Sequence, residues 1–114
     1  MPSRSSYRIF ISHGSPDLWV ARQVARCCLD RGATAFLDEA DIAKGDDIED
    51  RIFEEIDACS ELLVLFTRQS YQRPWLWIEI GAAKAQKKRT VGVLYGVSEG
   101  ELEQIVGGKC TIFK

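Results

Sequence analysis

With one histidine, His13, and no two cysteines at CxxC spacing, this sequence lacks the ligand set of a zinc site; Cys27, Cys28, Cys59 and Cys110 are scattered and have no histidine beside them. Cys27 and Cys28 are adjacent, so on a helix they point in different directions, which suits reduced thiols used as small core residues better than a redox centre. No apolar run approaches the roughly 20 residues that span a bilayer. The start, Met1-Pro2-Ser3-Arg4, lacks the apolar core of a signal peptide, so the expected compartment is cytoplasmic. An excess of one charge is missing too. Fifteen basic against 17 acidic residues give a net charge of -2, which draws this domain to neither nucleic acid nor membrane. Neither GxGxxG nor GxxxxGK[ST] occurs, and no internal repeat or low-complexity segment is evident.

What is present fits one domain. The 114 residues are 46% hydrophobic and 28% charged, enough for a modest single core and too few for two. Tyr7 to Ser12 reads as a strand, and His13-Gly14-Ser15-Pro16-Asp17 as a tight loop. Asp17 is placed to cap, or to lie in the first turn of, a helix with apolar residues at helical spacing from Leu18 to Leu29, ending at Gly32. Ala33 to Leu37 is a second short strand, and Asp38 to Asp47 a polar loop with Lys44-Gly45-Asp46 at its tip. Ile48, Ile52, Phe53 and Ile56 mark one face of a second helix, whose charged residues form a solvated face. Leu62 to Phe66 is continuously apolar, as a strand covered on both faces should be. A helix from Pro74 to about Lys88, a strand from Thr90 to Tyr95, a short helix from Glu99 to Val106 and a possible fifth strand at Thr111 to Phe113 complete the chain.

Alternation of strand and helix implies a parallel sheet with helices on both faces. Ligands of such sheets bind at the carboxyl ends of the strands, near the point where strand order reverses. Three polar stretches converge there: His13 to Asp17, Asp38 to Asp47, and Thr67 to Arg73 leading into Trp75 and Glu79.

Glu79 is the one charged residue between Trp75 and Ala83, in a helix that Pro74 is suited to open. Glutamate is almost never fully buried without a partner. Two readings stand open: a rim carboxylate facing water and favoured by the helix dipole, and a catalytic acid at the mouth of a pocket walled by Trp75, four residues earlier on the same face. The stretch by itself favours the rim.

Across nearly its whole length the chain resembles the Toll/interleukin-1 receptor (TIR) domain family, particularly its bacterial members. The matching residues are Phe10-Ile11-Ser12-His13 followed by Asp17; Phe36-Leu37-Asp38 followed by Ile42 and Gly45; and Ser70-Tyr71 followed by Trp75 and Glu79. The resemblance implies a flavodoxin-like three-layer α/β sandwich around a parallel sheet of about five strands, in a single TIR domain spanning residues 1–114. Three departures stand out. Arg73 and Leu76 replace a frequent Ser two residues before the Trp and a Cys just after it, Lys44 replaces a loop proline, and the chain stops where a last helix would follow the fifth strand, as in a domain excised from a longer chain.

Catalytic members of the family cleave NAD between ribose and nicotinamide, giving nicotinamide and ADP-ribose or a cyclised product. Glycoside hydrolysis usually needs two carboxylates, but nicotinamide is already cationic and leaves neutral, so one ionised glutamate can suffice. The resemblance therefore assigns Glu79 as catalytic, with Ser12, His13, Ser15, Asp38 and Trp75 as substrate-binding residues and NAD as substrate, with no cofactor or metal. Trp75 reads equally as a core aromatic, and Gly14-Ser15-Pro16 equally as a plain turn; His13 is not required as a base. Asp41, Lys44 and Gly45 fall in the segment that resembles the family's self-association loop, and Asp38 and Lys44 are suited to assembly. The expected partners are NAD and further TIR domains in a homo-oligomer or filament, in a bacterial defence setting. The competing expectation is a TIR interaction module without catalysis. A response-regulator receiver fits poorly, since Phe66-Thr67 stands where its phosphorylated Asp belongs.

Overall fold

The computed structural model describes residues 7–37, 47–70, 73–98 and 100–101, except the side chains of residues 15 and 47–50. Four strands, β1 (Arg8–Ser12), β2 (Thr34–Leu37), β3 (Glu61–Phe66) and β4 (Arg89–Leu94), alternate with three helices, α1 (Leu18–Asp30), α2 (Asp47–Ala58) and α3 (Pro74–Ala85). All pairings are parallel, in the order β2-β1-β3-β4. The sequence-derived fifth strand at 111–113, and all but the start of the helix at 99–106, lie outside the described residues.

Strand alternation divides the core in two. Phe10 of β1 and Leu62, Val64 and Phe66 of β3 face α2 and α3, meeting Ile52, Ile56, Leu76 and Ile80. Ile9, Ile11 and Leu65 face the other way, onto Ala21 and Ala25 of α1. The continuous apolar run of β3 follows from this arrangement, because helices cover both of its sides. The result is the expected three-layer sandwich.

Helix ends follow from local chemistry. Gly32 (φ +89°) stops α1 in a left-handed turn in which Gly32 N–H bonds Leu29 O and Ala33 N–H bonds Cys28 O. Helix α3 ends in the same way at Ala85, three residues before the expected limit. There Lys87 takes the left-handed position (φ +58°), and Lys88 N–H returns to Ala83 O. The Lys88 ammonium donates to the carbonyls of Asp57 and Cys59, each at 2.8 Å, at the carboxyl end of α2.

Candidate active site

Strand order reverses between β1 and β3, since the chain runs from β1 outward to β2 and then back across β1 to β3. Ser12 ends β1, and the loop after β3 leads into α3. The residues at this edge are polar yet enclosed: Ser12, His13, Thr67, Ser70 and Glu79 are all buried.

Glu79 is 0% exposed. It belongs to a buried stripe, Leu76, Glu79, Ile80 and Ala83, whose i, i+3, i+4, i+7 spacing is the inward face of α3. Ser12 donates its hydroxyl to Glu79 Oε1 at 2.5 Å, the short distance of a hydrogen bond to a charged acceptor. Arg73 Nη1 lies 3.6 Å from the same oxygen, with the Arg73 side chain only 10% exposed. The rim reading therefore fails, because the carboxylate faces the interior between a hydroxyl and a guanidinium. A buried carboxylate needs such a counter-charge.

The placement of Arg73 follows from Pro74. A residue before proline is steered away from helical geometry, and Arg73 is extended (φ -88°, ψ 114°) at the N-cap of α3. Its N–H bonds Ser70 O at 3.0 Å. Ser70 in turn is locked to Thr67, with Thr67 N–H donating to Ser70 Oγ at 2.7 Å and Ser70 N–H to Thr67 Oγ1 at 3.1 Å. The Thr67 hydroxyl donates to Asp17 Oδ2 at 2.6 Å, joining the loop after β3 to the loop after β1. Asp17 thus occupies the cap position of α1 without a side-chain capping bond. Gly14 lies in the same contact, where an added Cβ would come within 3.3 Å of Ser70 Cα.

His13 is 3% exposed, with Nδ1 2.8 Å from Gly14 O. A carbonyl only accepts, so Nδ1 carries a proton; Nε2 has no hydrogen-bond partner among the described residues. Trp75 is half-buried, and its ring packs on Phe53 of α2 at a centroid distance of 5.8 Å. Phe53 is 41% exposed, at the edge of the α2 face predicted to be apolar. The side chain of Ser15 lies outside the described residues, as do Asp38, Asp41, Lys44 and Gly45. A separate cavity of about 180 Å³ is lined by Arg8, Thr34, Phe36, Arg51, Glu55 and Cys59. Arg8, Thr34 and Cys59 place it towards the amino ends of the strands, away from Glu79.

Residues 9–111 match the family model described as TIR domain. The chain belongs to the TIR domain family. It is 28% identical over 102 residues to a Brachypodium distachyon protein named probable 2' cyclic ADP-D-ribose synthase BdTIR, a match covering 86% of this chain and 45% of that protein. The chain thus spans less than half the length of this relative. Among solved structures it is similar to the TIR domains of the activated Roq1 resistosome (TM-score 0.72, 18% identity, 87% of this chain and 63% of that one). It is also similar to a TIR-STING receptor from C. gigas (TM-score 0.68, 24% identity, 89% and 35%) and to a 2-deoxyribosyltransferase from Leishmania mexicana (TM-score 0.68, 17% identity, 92% and 74%). At these identities the likenesses establish the fold.

Within this TIR domain, sequence reasoning singled out Ser12 and Glu79, which the fold joins directly, but it read Arg73 only as a departure from the family pattern. The available signal was a glutamate in an apolar run, which demanded a counter-charge. Arg73 precedes Glu79 by six residues, a spacing that helical periodicity does not pair.

Proposed function

We propose that this TIR domain cleaves NAD at the bond between nicotinamide and ribose. The observation that carries the reading is Glu79, a carboxylate held inside the protein at the topological switch point by the Ser12 hydroxyl. The relative named as a probable 2' cyclic ADP-D-ribose synthase supports the substrate class.

In this mechanism the electron pair of the N-glycosidic bond leaves with nicotinamide, whose ring nitrogen becomes neutral. Positive charge develops on the ribose, and the Glu79 carboxylate stabilises it electrostatically without taking a proton. Water attacks the anomeric carbon and loses its proton to solvent, giving ADP-ribose; attack by a hydroxyl of the same molecule gives a cyclic product instead. Ser12 keeps the carboxylate oriented throughout. Incubation of concentrated protein with NAD, followed by chromatography, should show nicotinamide together with ADP-ribose or its cyclised form, and intact NAD would count against the reading.

The proposal extends to activation by self-association through the 38–47 segment, in a cytoplasmic bacterial defence setting. Turnover should then rise more steeply than protein concentration, because a site completed by a neighbour is populated by mass action. Strictly proportional scaling contradicts this. One observation favours the second reading, an interaction module without catalysis: a carboxylate fully enclosed by Ser12 and Arg73 can also serve only to fasten α3 to β1. That reading predicts that Glu79 substitutions move stability and leave NAD untouched.

A further inference from the structure

We infer that the cavity between α2 and the side of the sheet formed by β1 and β2 binds a small aromatic monocarboxylate, at a place remote from Glu79. Arg8 and Phe10 on β1 pair with Thr34 and Phe36 on β2, and as alternate residues all four turn their side chains towards α2. Arg51, Glu55 and Cys59 recur at four-residue spacing on α2 and form the facing wall. Size narrows the ligand. The volume of about 180 Å³ is close to the roughly 150 Å³ that admits a benzene ring, and below the about 300 Å³ at which sites for drug-sized molecules begin. A dinucleotide does not fit.

Charge narrows it further. Arg8 Nη2 lies 3.0 Å from Glu55 Oε1, so these two offset each other. Arg51 is exposed and has no carboxylate partner among the described residues; its guanidinium carbon sits over the Phe36 ring, 5.8 Å from the centroid. Stacking uses the face of the guanidinium and leaves the N–H groups in its plane free to fork onto a carboxylate. One net positive charge matches a monoanion and falls short of a phosphate dianion. Phe36 is half-buried and backed by Phe10, with ring centroids 5.1 Å apart, so an aromatic ring entering beside it extends an existing aromatic pair. Cys59 closes the floor as an apolar body, because its thiol already donates to Ile56 O at 3.0 Å.

NMR titration of the full chain with benzoate tests this, alongside benzamide, cyclohexanecarboxylate and inorganic phosphate. Benzoate should shift the backbone amides of Thr34 and Phe36 and the Nε–H of Arg51. Affinities read from those signals should favour benzoate over its neutral, non-aromatic and dianionic counterparts. Arg51→Gln should weaken benzoate by about tenfold or more, the worth of a charge-assisted hydrogen bond. The ligand series on the unmodified chain decides the matter even if that variant fails to fold. Benzamide, cyclohexanecarboxylate or phosphate binding as tightly as benzoate would overturn the proposal. So would unchanged affinity in folded Arg51→Gln, no shift on β2 with millimolar benzoate, or shifts confined to residues around Glu79. None of these outcomes depends on whether the chain cleaves NAD.

Discussion

Ser12 Oγ donates to Glu79 Oε1 across 2.5 Å, tying the last residue of β1 to the inward face of α3 over 67 positions of sequence. The bond is buried at both ends and its acceptor is a carboxylate, so it belongs to the stronger class of intramolecular hydrogen bonds. Ser12→Ala should lower unfolding stability by about 1.5–3 kcal/mol, the range for hydrogen bonds to charged groups. Urea titration checks this, and a change under 0.5 kcal/mol would show that the hydroxyl bears no such load.

Lys87 makes the left-handed turn that ends α3 with φ +58°, a conformation that costs a residue with a side chain roughly 1–2 kcal/mol. Glycine removes that cost but adds entropy to the unfolded chain, about 0.4–1 kcal/mol in the opposite direction. Lys87→Gly should therefore stabilise the domain by about 0.5–1 kcal/mol, visible as a raised Tm. A lowered Tm would mean that the Lys87 side chain makes a contact that outweighs backbone strain.

The order of strands and helices was legible because each element carries a local signal: alternation or an apolar run in β1 and β3, helical spacing in α1 and α2, and a proline opening α3. The end of α3 was not, since nothing in Gln86-Lys87-Lys88 announces a left-handed lysine where glycine is usual. At the site, Glu79 drew attention by its apolar neighbours, whereas its partners came from elsewhere. Ser12 reaches it only through the pairing of β1 with β3, and Arg73 through the extended conformation it adopts before Pro74. Trp75, four residues before Glu79, packs on Phe53, a neighbour that helical spacing within α3 alone does not reveal.

The thiols should separate by reactivity. Burial raises the Cys59 thiol above its ordinary pKa, ahead of smaller opposing effects that include Lys88. Cys28 is raised by burial and then by Cys27, while Cys27 itself is exposed. Since the thiolate is the nucleophile, a raised pKa slows alkylation. Among the three described cysteines, mass spectrometry after brief treatment with iodoacetamide should find Cys27 modified before Cys28, and Cys59 only after unfolding. The sign for stability follows as well. A thiol whose folded pKa is raised binds more protons in the folded state, so its contribution is complete below the ordinary thiol pKa and is lost as pH rises towards the raised one. Early labelling of Cys59 at neutral pH would contradict its burial.

Replacement of Glu79 by glutamine, with NAD turnover and folding measured on the same sample, tests the central claim most directly. Glutamine keeps the shape and can still accept the Ser12 hydroxyl, so the change removes the negative charge and with it the counter-charge of Arg73, which is why folding is read on the same sample. The account predicts a folded protein whose NAD cleavage falls on the order of a hundredfold to a thousandfold, the usual loss for one preorganised electrostatic group. A folded Glu79→Gln protein that cleaves NAD as fast as the unmodified chain would contradict it.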